Sequence, residues 1–238
     1  MLKINHVTKL YPGSDKGIRN LTMHVRPGDI HAFIGPNGAG KTTLIKAVCG
    51  IHPFDEGEIE IGGISIKDNP IEAKKLFACI PDNPDIYEYL TGIQFLNFVG
   101  DVFEIPSDVR KERIKKYAEA FELTDALNSL ISTYSHGMKQ KLMIIASLLH
   151  APRLLILDEP FVGLDPKASV TLRTFMKEIC ASGGAILFST HVLEVAQKLS
   201  NRVSIINNGE IITSGDMDKI VKEDKTLEDI FMEVAADA

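Results

Sequence analysis

The sequence lacks the features that would place the chain in a membrane or outside the cell. No stretch free of charged side chains is longer than 15 residues, at 179–193, and polar residues interrupt that stretch. A membrane-spanning helix needs about 20 predominantly apolar residues, so no such helix is predicted. The chain starts with an alternating, strand-like pattern and lacks the apolar run and cleavage site of a secretory signal. We therefore do not expect the chain to be exported.

Cysteine and tryptophan are scarce. There is no tryptophan, and the three cysteines, Cys49, Cys79 and Cys180, form no CxxC pair. An odd number of widely spaced cysteines is typical of a protein of the reducing cytosol, and it argues against a disulfide framework or a zinc site. We interpret all three as small buried apolar residues.

Positive charge is also in short supply. The 26 lysines and arginines are outnumbered by 32 aspartates and glutamates, which gives a net charge of -6 and argues against a large nucleic-acid surface. The densest basic run, at 110–116, contains Glu112 and has helical spacing around Ile114, so we interpret it as a solvated helix face. No nucleic-acid partner is predicted.

The 238 residues show an alternation of strand and helix patterns, without internal repeats or long linkers. The middle third, about 91–150, has helical periodicity and no convincing strand. Strands alternate with helices again after it, which indicates an α/β fold whose mostly parallel sheet is covered on both faces.

The sequence pattern places each element. Strands are predicted at 2–7, 21–25, 30–34, 57–62, 78–81, 154–157, 185–189, 203–206 and 211–213. Helices are predicted at 41–49, 93–103, 107–127, 137–149, 166–181, 192–199, 216–221 and 227–234, and Ser107 is expected to cap the third of them.

A phosphate-binding loop follows the third predicted strand and opens a helix. It reads Gly35-Pro36-Asn37-Gly38-Ala39-Gly40-Lys41-Thr42-Thr43 and matches the pattern GxxxxGK[ST]. Glycines let successive backbone N–H groups turn inward, and the helix N-terminus adds positive potential there. Lys41 is expected to reach the β- and γ-phosphates, Thr42 to offer its hydroxyl to Mg²⁺, and Thr43 to bind the α-phosphate.

Two adjacent acids end a buried aliphatic strand. Asp158 and Glu159 follow the run at 154–157. Asp158 is predicted to anchor Mg²⁺, and Glu159 to act as the general base that polarises the attacking water. The plainer alternative, also with a phosphate-binding loop present, is a solvated strand end.

These motifs, in this order and spacing, resemble the nucleotide-binding subunits of ABC transporters. The resemblance covers essentially the whole chain, from Tyr11 to His191. It implies that Tyr11 stacks on adenine and that His191 is the switch histidine, which hydrogen-bonds the γ-phosphate and positions Glu159. It also implies a RecA-like P-loop core with an N-terminal antiparallel β subdomain and an inserted α-helical subdomain.

The family signature LSGGQ is matched by the segment at 134–138. The resemblance implies that Ser135 and Gly137 reach the ATP that is bound to the opposite subunit. His136 and Met138 replace a glycine and a glutamine of the pattern, which leaves the contact of position 138 open. Asp165 matches the D-loop, whose aspartate contacts the partner's P-loop, although Asp165-Pro166 also has the pattern of a helix start.

The chain departs from the family at the Q-loop. Asp82 stands where the family places glutamine, and we assign it to the Mg²⁺ ligand sphere, with Asn83 as the alternative. The segment that follows, at 86–91, is expected to contact a transmembrane partner.

The resemblance implies one nucleotide-binding domain over 1–238, with an ATP-binding core at 1–82 and 151–238 and a helical subdomain at about 83–150. It implies an ATPase that uses ATP and Mg²⁺, pairs with a second ATPase subunit as a homodimer, and drives separately encoded transmembrane permease subunits. We expect it on the cytoplasmic face of the cell membrane, in an exporter for peptides, antibiotics or lipids.

Two other classes of protein share some of these motifs. A soluble ABC ATPase, acting for example in iron-sulfur cluster assembly, is the alternative that stays open. A P-loop kinase or GTPase has no support, because guanine-reading motifs are missing.

Overall fold

The computed structural model describes residues 1–14, 16–82, 86–221 and 226–236, with side chains of the last segment described as far as residue 232. The strands are β1 Leu2–Leu10, β2 Gly17–Val25, β3 Ile30–Ile34, β4 Glu56–Ile61, β5 Ile64–Ser65, β6 Phe77–Ile80, β7 Leu154–Asp158, β8 Ala185–Thr190, β9 Arg202–Asn207 and β10 Glu210–Asp216. The helices are α1 Lys41–Val48, α2 Pro70–Lys74, α3 Gly92–Val102, α4 Ser107–Ala120, α5 His136–Leu148, α6 Pro166–Ala181, α7 Leu193–Leu199, α8 Met217–Ile220 and α9 Leu227–Ala236.

A six-stranded sheet forms the centre of the protein. Its order is β10-β9-β3-β8-β7-β6, and every neighbouring pair is parallel except β9 with β10. Strands β3, β7 and β8 are buried at every position, as expected when both faces of a parallel sheet are covered. The predicted α/β fold with a mostly parallel sheet is therefore confirmed. Parallel strands all end at one edge, and this edge positions the candidate site.

The two faces of the sheet pack against different layers. Ala32 and Ile34 of β3 belong to a core that includes Leu142 of α5 and other residues of the helices. Phe33, between them, points the opposite way and packs with α1 and the antiparallel sheet. The helices among the described residues include none that is long and apolar enough to cross a bilayer.

The N-terminal strands form a four-stranded antiparallel sheet, in the order β2-β1-β4-β5. Strands β1 and β2 are longer than predicted because a register shift lies between Ile4 and Val7. His6, at φ 51°, occupies this irregularity, and Asn20, at φ 47°, lies opposite a second shift between Val7 and Lys9. His6 Nδ1 lies 2.7 Å from Asn20 Oδ1. The shift breaks the period-two pattern, so the sequence indicated only part of each strand.

Three helices, α3, α4 and α5, separate β6 from β7 in the chain. The prediction of one helix at 107–127 was wrong: α4 ends at Ala120, Glu122 adopts φ 53°, and a short 3-10 turn follows at Thr124–Ala126. The assignment of Ser107 as the N-cap was also wrong, because Pro106 occupies that position and Ser107 is the first helical residue. The short elements β5 and α2 were not predicted.

The cysteines differ in part from expectation. Cys49 is buried, whereas Cys79 and Cys180 are only partly buried. Although 30 positions apart, Cys49 and Cys79 line one cavity of about 360 Å³ between α1, β6, α3 and α5. Cys180 donates its thiol hydrogen to the Asp29 carbonyl oxygen, at 3.3 Å.

Candidate nucleotide-binding site

The phosphate-binding loop connects the end of β3 to α1. Gly35 passes so close to β9 that a Cβ there would overlap the Ile206 carbonyl oxygen. Gly40 adopts φ 112° at the N-cap of α1, and no side chain caps that helix. Free backbone N–H groups at a helix N-terminus are a ready anion site, so the loop has the geometry that phosphates require.

Lys41 is held against the loop that precedes it. Its Nζ donates to the carbonyl oxygens of Gly35, at 2.7 Å, and Pro36, at 3.1 Å. Burial lowers the pKa of Lys41, while the charges of Glu159 and Asp158 oppose that shift. The ammonium is therefore preorganised beside the place where phosphates bind.

Asp158, at the end of β7, is buried and connects three elements. Its Oδ2 accepts a hydrogen bond from Thr42 Oγ1 at 3.0 Å, and its Oδ1 accepts one from Ser189 of β8. The carboxylate and the Thr42 hydroxyl are the hard oxygen ligands that Mg²⁺ prefers. Two of the three predicted metal ligands, Thr42 and Asp158, are thus in direct contact.

Glu159 faces a different partner from its neighbour. Its backbone turns into the left-handed region, at φ 48°. Its amide N–H is held by the carbonyl and hydroxyl oxygens of Ser189, both at 3.2 Å. Glu159 Oε1 lies 2.9 Å from Nδ1 of His191, and the glutamate side chain is only 14% exposed. The predicted base and switch histidine are therefore in hydrogen-bond contact.

Tyr11 lies at the opposite end of the loop. Its hydroxyl is 3.5 Å from Thr43 Oγ1, and its ring meets His52 edge to face, with 6.3 Å between centroids. This places an aromatic ring beside the α1 end of the phosphate-binding loop. The predicted stacking of Tyr11 on adenine stays a prediction.

One cavity of about 300 Å³ joins these groups. Its lining residues are Tyr11, Lys16, Gly17, Asn37, Gly38, Gly40, Lys41, Thr42, Thr43, Asp82, Asp158 and Glu159. Gly35, Pro36 and Ala39 belong to the loop but do not line the cavity. Asp82 lines the cavity together with Asp158 and Glu159, and its assignment to the Mg²⁺ ligand sphere stays a prediction. Asn83, the alternative, falls outside the described residues.

Comparison with known proteins identifies this arrangement. A family model described as ABC transporter matches residues 18–162, more than half of the chain. The chain belongs to the ABC transporter family. A solved structure described as the ATP binding subunit of an ABC transporter superposes with a TM-score of 0.94 and 33% sequence identity, over 99% of both chains.

Two curated relatives of this ABC protein come from Bacillus subtilis. The uncharacterised ABC transporter ATP-binding protein YdbJ is 38% identical over 200 residues, which cover 84% of this chain and 64% of YdbJ. The linearmycin resistance ATP-binding protein LnrL is 33% identical over 215 residues, 90% of this chain and 69% of LnrL. The chain thus spans about two thirds of the length of these relatives.

The signature segment of this ABC protein lies outside the cavity. Ser135 caps α5, and its hydroxyl accepts from the Met138 N–H at 3.3 Å. A Cβ on Gly137 would come within 2.7 Å of the Gly163 carbonyl oxygen, and the His136 ring packs over Gly163. The helix N-terminus therefore contacts the loop after Glu159 rather than the nucleotide loop of its own chain.

Asp165 also makes its contacts within the chain. It caps α6 through the Ala168 N–H at 2.8 Å and forms an ion pair with Lys141 at 2.6 Å. The hydrogen bond from Lys141, followed by the one from Ala168, lowers the pKa of Asp165. The helix start inferred from Asp165-Pro166 is thus present. The predicted contact with a second subunit stays a prediction.

Sequence reasoning missed three residues of this ABC site. Ser189 was predicted only as the end of a strand, yet its hydroxyl bonds Asp158 and Glu159. Lys16 and Gly17 line the cavity beside Tyr11. The signal for Ser189 was available, because parallel strands β7 and β8 end at the same sheet edge. No comparable signal existed for Lys16, since no motif includes it.

Proposed function

We propose that this chain binds and hydrolyses Mg-ATP as the nucleotide-binding subunit of an ABC exporter. Two copies enclose two ATP molecules and drive separately encoded transmembrane permease subunits from the cytoplasmic face of the cell membrane. Within the single domain, 1–238, the ATP-binding core comprises 1–82 and 151–238, and 83–150 form the helical subdomain. The observation that carries the proposal is the contact of Glu159 with His191 beside the phosphate-binding loop.

The site can perform hydrolysis with few groups. Lys41 and the loop N–H groups neutralise the phosphate charge, which is the main catalytic requirement of phosphoryl transfer. Glu159 accepts the proton of the attacking water, and His191 holds the carboxylate through its 2.9 Å contact. Tyr11 stacks on adenine, and Thr43 binds the α-phosphate.

The donor set fits Mg²⁺. Thr42 and Asp158 supply a hydroxyl and a carboxylate in mutual contact, and we assign Asp82 to the outer part of the same sphere. Among the described residues, no cluster of three or more acidic, histidine or cysteine side chains is placed to hold a metal by itself. This is the arrangement expected of Mg²⁺ that arrives with nucleotide phosphates, where it neutralises their charge.

The position of the signature supports a dimer. Ser135, Gly137 and Asp165 lie outside the cavity that Lys41 and Thr42 line. A helix N-terminus at Ser135 attracts phosphate, so its ligand in this proposal is the ATP of a second copy. Each chain then supplies the nucleotide cavity of one site and the signature helix of the other.

An exposed aromatic cluster supports a membrane partner. Tyr87 lies 5.9 Å from Tyr89 and 5.7 Å from Phe98, centroid to centroid, and Tyr89 is 74% exposed. Exposed apolar patches mark protein interfaces. Next to Phe98 on the same helix, Val99 lines a second, largely apolar cavity together with Phe103. The name of LnrL as a resistance protein supports export.

The variant Glu159→Gln tests the proposal. Glutamine keeps the size and hydrogen-bonding reach of the side chain but cannot accept a proton. We expect ATP binding within about twofold of the wild type and a fall in turnover of at least about 100-fold. Phosphate release and nucleotide binding are measured on the same preparations.

Glu194→Gln provides the matched control. Glu194 is exposed on α7, where it pairs only weakly with Lys198, at 3.7 Å, so its loss should leave turnover unchanged. Wild-type turnover in Glu159→Gln, or absence of ATP binding by the wild-type chain, would overturn the assignment.

A further inference from the structure

Lys16 lines the nucleotide cavity without belonging to any motif. It precedes β2 and shares the cavity with Tyr11, Asn37 and Thr43. Within the described part of the chain, Lys41 is the only other lysine that lines the cavity. No described carboxylate pairs with the Lys16 ammonium.

The backbone around Lys16 fixes it against the nucleotide loop. Its carbonyl oxygen accepts the Tyr11 N–H at 3.2 Å, which closes the turn between β1 and β2. Gly17 has φ 146°, and a Cβ there would overlap the Lys9 carbonyl oxygen. A side chain at Gly17 would therefore displace the Lys9 backbone, and the hydrogen bond from Tyr11 holds the backbone of the residue before it.

Gly17 also touches the phosphate-binding loop directly. A Cβ on Gly40 would lie 2.9 Å from the Gly17 carbonyl oxygen, and one on Gly209 would lie 2.6 Å from it. Three glycines therefore meet without side chains between them, and this close approach brings Lys16 to the edge of the loop.

The two lysines serve opposite ends of the cavity. Lys41 faces Asp158 and Glu159, where the γ-phosphate binds in the proposed function. Lys16 adjoins Tyr11, whose hydroxyl is 3.5 Å from Thr43 Oγ1, at the end nearest the base. The α-phosphate is the anionic group of a nucleotide that lies at this end.

We propose that the Lys16 ammonium binds the α-phosphate of the nucleotide and is a second lysine contact of the site. The inference rests on the proposed function, since it requires a nucleotide in this cavity. It assigns to Lys16 a contact with the α-phosphate, which ATP and ADP share, whereas Lys41 reaches the β- and γ-phosphates, of which ADP lacks the γ-phosphate.

The test compares Lys16→Met, Lys16→Arg and the control Lys111→Met, which removes an exposed lysine of α4. Dissociation constants for ATP and for ADP are measured at low and high NaCl. In Lys16→Met we expect both nucleotides to bind about three- to tenfold more weakly, by the same factor, because one charge-assisted contact is lost. The effect should fall on KM rather than kcat, and it should shrink at high salt.

The arginine variant separates charge from fold. Lys16→Arg keeps the cation and should bind both nucleotides within about twofold of the wild type, as should Lys111→Met. Unchanged ATP and ADP affinity in Lys16→Met, or a loss confined to ATP, would overturn the inference while leaving the proposed function intact. Failure of the wild-type chain to bind ATP at all would count against the proposed function instead.

Discussion

Asp158 and Glu159 are adjacent in sequence, yet they bind different partners. Asp158 ends β7 in extended geometry and contacts Thr42 and Ser189, whereas Glu159 turns to φ 48° and contacts His191. A left-handed glutamate costs about 1 kcal/mol or more, and the two hydrogen bonds to its N–H from Ser189 offset that cost. The strained backbone is what separates the proposed metal ligand, Asp158, from the proposed base, Glu159.

His31 makes stability depend on pH. It is fully buried in β3, and Nε2 lies 2.8 Å from the Ser204 hydroxyl. Burial, with a smaller contribution from Arg202, lowers its pKa from 6.5 to about 3. The unfolded chain therefore binds a proton that the folded chain excludes once the pH falls below 6.5. This contribution to stability is full above pH 6.5 and decreases by about 1.4 kcal/mol per pH unit between 6.5 and 3.

The variant His31→Gln measures this effect, because an amide can bond Ser204 but does not titrate. Urea unfolding at pH 7.5 and 5.5 should show the wild type losing about 1.4 kcal/mol more stability between the two pH values than the variant loses. Equal losses in the two proteins would mean that His31 is not kept neutral by burial.

Local motifs were predicted from the sequence, whereas the long-range contacts of Ser189 and Lys16 were missed. The phosphate-binding loop comprises nine contiguous residues whose chemistry is set by their spacing, so the sequence alone located it. Ser189 and Lys16 belong to the site through neighbours in space: Ser189 contacts Asp158, 31 positions away, and Lys16 reaches the loop through Gly17 and Gly40. No periodicity encodes such contacts.

At the scale of elements, the contrast between local pattern and long-range contact also explains the errors in the predicted α4 and β1. Helical periodicity continued past Ala120, but the backbone leaves the helix at Glu122 to pack Leu123, which is 2% exposed, into the core. In β1 the bulge at His6 changed which residues face inward. The parallel strands were predicted closely, because strands buried on both faces read as continuous apolar runs.

The exposed aromatic side chains of α3 and of the segment before it form the proposed docking surface for the transmembrane subunit. Tyr89 and Phe98 are 74% and 45% exposed, and replacing both with serine removes apolar area that no described core contact requires. We expect Tyr89→Ser/Phe98→Ser to lose copurification with its transmembrane subunit in detergent, after coexpression with neighbouring genes, because apolar anchors dominate interfaces. ATP binding should stay within about twofold of the wild type.

The matched control is Val170→Ser/Ile212→Ser, which removes two exposed apolar side chains, 59% and 50% exposed, on α6 and β10. It should copurify normally. Copurification of both variants would show that the aromatic cluster is not the docking surface. Soluble partners alone, with the wild type, would favour a non-transport ABC ATPase.

At the scale of the whole molecule, the two kinds of site lie on different surfaces of one chain. The cavity with Lys41 and Glu159 is the nucleotide half, and the N-terminus of α5 with Ser135 is the signature half. In a two-fold dimer each composite site takes one half from each chain. Defects in opposite halves must then complement each other when two variants are mixed.

We expect Lys41→Ala and Ser135→Asp to be inactive alone and active together. Aspartate caps a helix as well as serine does, so Ser135→Asp keeps α5 while placing a negative charge against the phosphate. In a 1:1 mixture, half of the dimers pair the two variants, and each has one intact composite site. ATPase activity should return to about a quarter of the wild-type value if the chains assort randomly and the sites act independently.

The control mixture separates this geometry from simple heterodimer formation. Lys41→Ala and Glu159→Gln both damage the nucleotide half, so a dimer of the two has no intact composite site and should remain inactive. Recovery in that mixture as well would show that the restored activity does not come from complementary halves. No recovery with Ser135→Asp would show that each chain completes its own site. The signature would then act on the Lys41 loop of the same chain, which the separation of Ser135 from the cavity argues against.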